Sequence, residues 1–222
     1  MKLYSLLIAT VLTSSSLIAN PVRFSDYEPL PQDERNAYEV EDLQAMEQAE
    51  LDLLYSRLAS GPFPVGAYQG TVKFDNTDEN DIERILSILS PKGGLEGQLK
   101  KLGVGIWKGK VFFPETDSLT NMIGPFTRFP AHVFCGQSLL DARKESIVLD
   151  YNYADTADRY NPLIDWLMTR KGLGIRDEIR MVRPGLYLGR AYIHNLFALN
   201  FILSKDDLVA AEDSWSNSCK AL

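Results

Sequence analysis

The sequence predicts a mainly β protein: an antiparallel barrel of about eight strands with a long N-terminal helix and a short helical insertion. Three observations point to it. Strand-like stretches separated by turn residues recur between positions 61 and 204. The most informative is Ile175-Arg-Asp-Glu-Ile-Arg-Met-Val-Arg-Pro-Gly-Leu-Tyr-Leu-Gly-Arg-Ala-Tyr-Ile193, where two such stretches meet at Pro184-Gly185, a pair suited to a tight reversal. Finally, this hairpin carries charges on both faces. That suits a small closed barrel whose one face lines an interior while the other meets solvent or a covering helix.

Taken in order, residues 20–35 are Pro-rich and acidic and read as an extended lead-in. From 36 to 60, Val40, Leu43, Met46, Leu53, Leu54 and Leu58 fall near helical spacing, acids crowd the first half, and Gly61-Pro62 stops the pattern. The apolar stripe of this helix is expected to lie over the domain, or else to meet a protein partner. A first strand follows at 66–74, with Tyr68, Val72 and Phe74 on one side. Ile82, Ile85, Leu86 and Leu89 then return to helical spacing over 78–90, the insertion. Strand character resumes at 106–113, 119–123, 131–136 and 145–151; a short helix is expected at 161–169, the hairpin at 175–193 and a last strand at 196–203. The resulting division is 1–19, 20–60, a barrel domain at 61–204, and a tail at 205–222.

Residues 1–19 have the form of a signal peptide: Lys2, an apolar run from Leu6 to Leu12, a Ser/Thr patch, and Leu17-Ile-Ala19 ahead of Asn20-Pro21. A mature chain beginning near Asn20, in a periplasm or outside the cell and without a transmembrane segment, is the expectation. The net charge of -7 and a pI near 4.9 argue against nucleic acid as a partner, because phosphate neutralisation needs clustered Lys and Arg. In an oxidising compartment the two cysteines, Cys135 and Cys219, form a candidate disulfide if the tail folds back; the alternative is two free thiols.

Most catalytic chemistry lacks its residues. His132 and His194 stand apart without neighbouring His or Cys at ligand spacing, so no metal site is assigned. Gly136-Gln-Ser138 lacks the second glycine of a nucleophile elbow, and Gly103-Val-Gly-Ile-Trp-Lys-Gly109 misses the dinucleotide fingerprint. No catalytic residue and no cofactor is assigned. The hairpin offers more. If Arg183 faces Leu186, an unbroken ladder sets Met181 opposite Leu188, Ile179 opposite Arg190 and Asp177 opposite Tyr192, all on one side. Asp177 and Arg190 would then pair on an apolar interior face, where an unpaired charge costs several kcal/mol. The candidate ligand-binding set is therefore Asp177, Arg190, Tyr192, Met181 and Leu188, with Tyr68 from the first strand. A structural salt bridge is the alternative, and Arg176, Glu178 and Arg180 form an outer charge ladder.

Gly66-x-Tyr68, Trp107-Lys-Gly-Lys110, Ser146-Ile-Val-Leu-Asp-Tyr151, Arg176-Asp-Glu-Ile-Arg180 and Pro184-Gly-Leu-Tyr-Leu-Gly189 together resemble bacterial members of the calycin superfamily, the lipocalin and fatty-acid-binding barrels. The resemblance spans about residues 61–204. It implies an antiparallel barrel with a ligand-sized interior. Tyr68 stands where the lipocalin pattern has Gly-x-Trp, and the segment 78–90 interrupts the early strands. The leading expectation is an exported binding protein for a small hydrophobic, lipid-like ligand. Two others differ in class: a cofactor-independent enzyme using Asp177 as base, and an envelope interaction protein working through the helix at 36–60.

Overall fold

The structure, a computed structural model, describes residues 29–73, 107–205 and Cys219. The expected leader at 1–19, the first part of the lead-in, the helical insertion at 78–90 and the rest of the tail lie outside the described residues. Eight strands, β1 (Gly66–Lys73), β2 (Trp107–Phe113), β3 (Ser118–Ile123), β4 (Phe126–Gln137), β5 (Glu145–Asp150), β6 (Ile175–Arg183), β7 (Leu186–Ile193) and β8 (Leu196–Ser204), pair antiparallel in chain order. Strand β1 also pairs with β8, which closes the barrel. The tight turns follow residue chemistry. Pro184-Gly185 reverses the chain between β6 and β7, and His194 and Asn195 both take positive φ between β7 and β8, as a type I′ hairpin turn requires.

Side chains alternate between two destinations. Tyr68, Phe112, Leu119, Ile147, Leu149, Ile179, Met181, Tyr187, Phe201 and Leu203 point inward and form one buried core. On the outer face, Val182, Leu186, Leu188 and Ile202 of β6, β7 and β8 are covered by Leu43, Leu51, Leu54, Tyr55 and Leu58. The apolar positions of the N-terminal helical region are thus used against the barrel itself. Polar contacts fix the arrangement. The Arg180 guanidinium, fully buried, donates to the Tyr55 carbonyl (2.8 Å) and the Ser146 hydroxyl (3.0 Å), and the Tyr55 and Ser146 hydroxyls lie 3.0 Å apart.

That region is not the long helix its spacing predicts. It is three short helices, α1 (Gln32–Asn36), α2 (Val40–Ala45) and α3 (Gln48–Arg57). Acidic side chains account for the breaks. Glu39 and Glu47 are extended residues whose own N–H groups donate to Asp42 and Glu50 (2.8 Å each), so each begins a capping box and restarts a helix. Met46 between them is extended as well. Acids that looked like reinforcement for one helix start two, and the bends let Leu43, Leu51 and Leu54 all reach the curved barrel wall. Among the described residues no helix is long and apolar enough to cross a membrane.

One end of the barrel is shut. The Met181 N–H leaves the ladder and donates to the carbonyls of Ala59 and Ser60 (3.2 Å each), the Tyr187 hydroxyl donates to the Pro62 carbonyl (2.8 Å), and Phe63 packs on the core. Cys219 packs there too, donates its N–H to the Gly61 carbonyl (3.3 Å), and is disulfide-bonded to Cys135 of β4 with Cα atoms 5.5 Å apart. Inside, the Phe201 ring lies against Gly189, where a Cβ would come within 2.3 Å of ring carbons. Gly189→Ala is therefore expected to cost about 1–3 kcal/mol in urea unfolding through overpacking, and Phe201→Leu in the same chain to recover part of it.

Candidate ligand-binding site

The β6–β7 ladder decides which hairpin residues reach the interior. Arg183 does face Leu186, but the register shifts between Met181 and Arg183, so that Met181 pairs with Tyr187, Ile179 with Gly189, Glu178 with Arg190 and Asp177 with Ala191. One extra residue in β6 exchanges the faces of β7. The common face expected for the candidate set is thereby corrected. Asp177, Met181 and Tyr68 lie inside the barrel, whereas Leu188, Arg190 and Tyr192 lie on its outer wall. Arg190 forms its ion pair with Asp52 of α3, not with Asp177, and its Nε donates to the Tyr192 hydroxyl at 3.1 Å. Glu178 and Arg180, expected on an outer charge ladder, do face outward but are fully buried, and Glu178 accepts from Ser138 Oγ and the Leu139 N–H (2.8 Å each).

The partner of Asp177 comes from the opposite wall. Strand β2 has its own register shift, between Trp107 and Gly109, and Gly109 has φ 129° at a point where a Cβ would sit 2.0 Å from the Tyr68 carbonyl oxygen. Only glycine fits that approach. The shift turns both Trp107 and Lys110, three positions apart, toward the interior. Lys110 Nζ donates to Tyr151 OH (2.6 Å), Asp177 Oδ2 (2.8 Å) and Asn121 Oδ1 (2.9 Å). Asn121 Nδ2 donates to Tyr151 OH (2.9 Å) and the Phe129 carbonyl (3.0 Å), and the Trp107 indole N–H donates to Asn121 Oδ1 (3.0 Å). The ammonium also lies 5.5, 5.2 and 5.1 Å from the ring centroids of Trp107, Tyr151 and Phe201. The result is an ion pair inside an aromatic and amide frame.

Burial opposes the Lys110 charge, but the neighbouring Asp177 carboxylate and Tyr151 outweigh it and hold the ammonium above the usual lysine value. Burial pushes the Asp177 carboxyl up, and Lys110 offsets this only in part. Tyr68 is pushed up to about 12, and Tyr55, Tyr151 and Tyr187 are raised as well, all chiefly by burial. The cluster lies between two unlike halves of the interior. Toward the shut end Leu119, Ile147, Ile179 and Leu203 are wholly inaccessible; toward the other, Trp107, Ile175, Ala191 and Leu199 are only half-buried. No group of three or more potential metal ligands occurs among the described residues.

Sequence reasoning missed Lys110, Asn121, Tyr151 and Trp107 as a unit. The available signal was Gly109 inside a strand, a mark of a bulge. Without it Lys108 and Lys110 share a face; with it they part, Lys108 exposed and Lys110 buried.

No protein-family model and no curated protein matches the chain. A solved structure of a protein from Thermomonospora curvata aligns over 72% of this chain and 88% of that chain, at 18% identity and a TM-score of 0.43.

Two outcomes follow from the charge and proton placement. Lys110→Met is expected to cost about 3–5 kcal/mol in urea unfolding because it strands a buried carboxylate, and adding Asp177→Leu to restore most of the loss. A single-variant loss below about 1 kcal/mol would mean that the pair is effectively solvated. Folding also raises Lys110 and the buried tyrosines above their unfolded values, so the folded chain binds more protons at alkaline pH. Their contribution is complete below about pH 10 and is lost as pH rises through the folded values. The melting temperature should fall steeply between pH 10 and about 12, the unfolded and folded values of Tyr68, and Tyr68→Phe should lessen the fall.

Proposed function

We propose that the protein is an exported binding protein that holds a small, hydrophobic, lipid-like ligand inside its barrel, with the ligand's polar end toward Lys110 and Asp177. The observation that carries this reading is the position of the pair. A charged, hydrogen-bonded cluster interrupts an apolar interior at the level where its side chains begin to be accessible. A purely structural core gains little from a buried ion pair, since desolvation offsets most of the attraction, whereas a binding barrel uses a few placed polar groups to orient an otherwise apolar ligand. Eight strands in nearest-neighbour order around a closed barrel fit what the calycin resemblance implies. Export is supported by the leader-like residues 1–19 and by the Cys135–Cys219 bond, which suits an oxidising compartment.

Native mass spectrometry of the protein purified from its own host tests the reading directly. A lipid-sized mass that is released on unfolding is expected, on a chain beginning near Asn20. An empty barrel that co-purifies with a protein partner would overturn the container and move attention to the polar faces of α1–α3. An intact Met1 on soluble material would overturn export.

A further inference from the structure

We propose that the barrel selects an uncharged ligand whose polar end donates a hydrogen bond, an alcohol in preference to a carboxylate, with Asp177 as the acceptor. This rests on the container reading and specifies the chemistry of the same site. The donors and acceptors of the cluster decide what a ligand can offer it. Lys110 has three N–H groups, engaged by Tyr151, Asp177 and Asn121. Both N–H groups of the Asn121 amide are engaged by Tyr151 and the Phe129 carbonyl, and the Trp107 indole N–H by Asn121. The Tyr151 hydroxyl accepts from both Lys110 and Asn121. Every N–H donor in the cluster is therefore committed to a partner within it or to the backbone.

What remains is acceptor capacity. A carboxylate offers about four lone-pair positions, and the hydrogen bond from Lys110 to Asp177 Oδ2 takes one of them. Its side chain is also the more accessible member of the pair, 7% against 3% for Lys110. A ligand carboxylate, which can only accept, would meet no free N–H donor in the cluster and would face the Asp177 charge. A ligand ammonium would meet Lys110, whose own charge already lies within 5.1–5.5 Å of the three aromatic rings. A hydroxyl suffers neither conflict. It donates to Asp177 and leaves the interior neutral, while the alkyl part lies against the half-buried Ile175, Ala191 and Leu199 on the accessible side.

Isothermal titration of the mature full-length chain with decan-1-ol and with decanoate at pH 8 isolates the polar end, since the alkyl chains match. At least tenfold tighter binding of decan-1-ol is expected. Equal or tighter binding of decanoate would keep the container and overturn this inference; binding of neither would remove the container reading and this inference with it. Asp177→Asn leaves Lys110 without its counter-charge, so the preference should reverse toward decanoate. A folded Asp177→Asn chain that still prefers the alcohol would overturn the part given to Asp177, and the unmodified chain supplies the decisive comparison if that variant does not fold.

Discussion

Alternation along a closed sheet leaves each side chain two destinations, the interior or the outer wall, and a one-residue bulge exchanges them for the rest of the strand. The charge distribution of this barrel depends on that constraint. The shift at Gly109 turns Lys110 inward beside Trp107, and the shift between Met181 and Arg183 keeps Asp177 inward while sending Arg190 out. Were β6 and β7 paired without interruption, Arg190 would enter the interior as a second cation beside Lys110, and Asp52 on α3 would lose its partner. Two bulges thus divide the charged side chains into an inner pair and an outer network.

The outer network has a different physical character from the inner pair. Arg180 is fully buried, yet its acceptors include the backbone carbonyls of Tyr55 and Glu145 as well as the Ser146 hydroxyl. Glu178 is met by a hydroxyl, a backbone N–H and Arg176. Such groups are costly to bury unless partnered, and here most partners belong to neighbouring segments, so they fix how α3 and the loop after β4 sit on the wall. The inner pair, by contrast, joins β2 to β6 across the barrel. One layer attaches covering elements to the wall, and the other sets the polarity of what the wall encloses.

Much of this architecture was legible in the residues. Period-two alternation located the strands, and Pro184-Gly185 marked a reversal by its backbone preferences. The site was legible only in fragments: Asp177, Met181 and Tyr68 were seen as inward-facing, but their cation was sought on the adjacent strand. Hairpin reasoning extrapolates a ladder outward from its turn, and one inserted residue defeats it without any local signature at Met181, Val182 or Arg183. The extra residue is held by contacts distant in sequence, the Met181 N–H to Ala59 and Ser60. Likewise Glu39 and Glu47 satisfy helix-interior and helix-start preferences alike, and the curvature of the wall beneath them selects between the two. Lys110 of β2 and Tyr151, directly after β5, lie far apart in sequence, and the curvature of the barrel makes them neighbours.

Closure itself has a seam. Among the described residues, strand β1 pairs with β2 through Gly66 to Gln69 and with β8 through Gln69 to Lys73. Joining β1 to β8 also brings together the most distant strands of the sheet in sequence, at a large loop-closure entropy and with little local pairing to prepare it. The seven-strand sheet from β2 to β8 can assemble hairpin by hairpin, while β1 is a keystone set last. Amide exchange should follow the same order, with β1 opening ahead of the hairpins and the cylinder parting along that one line.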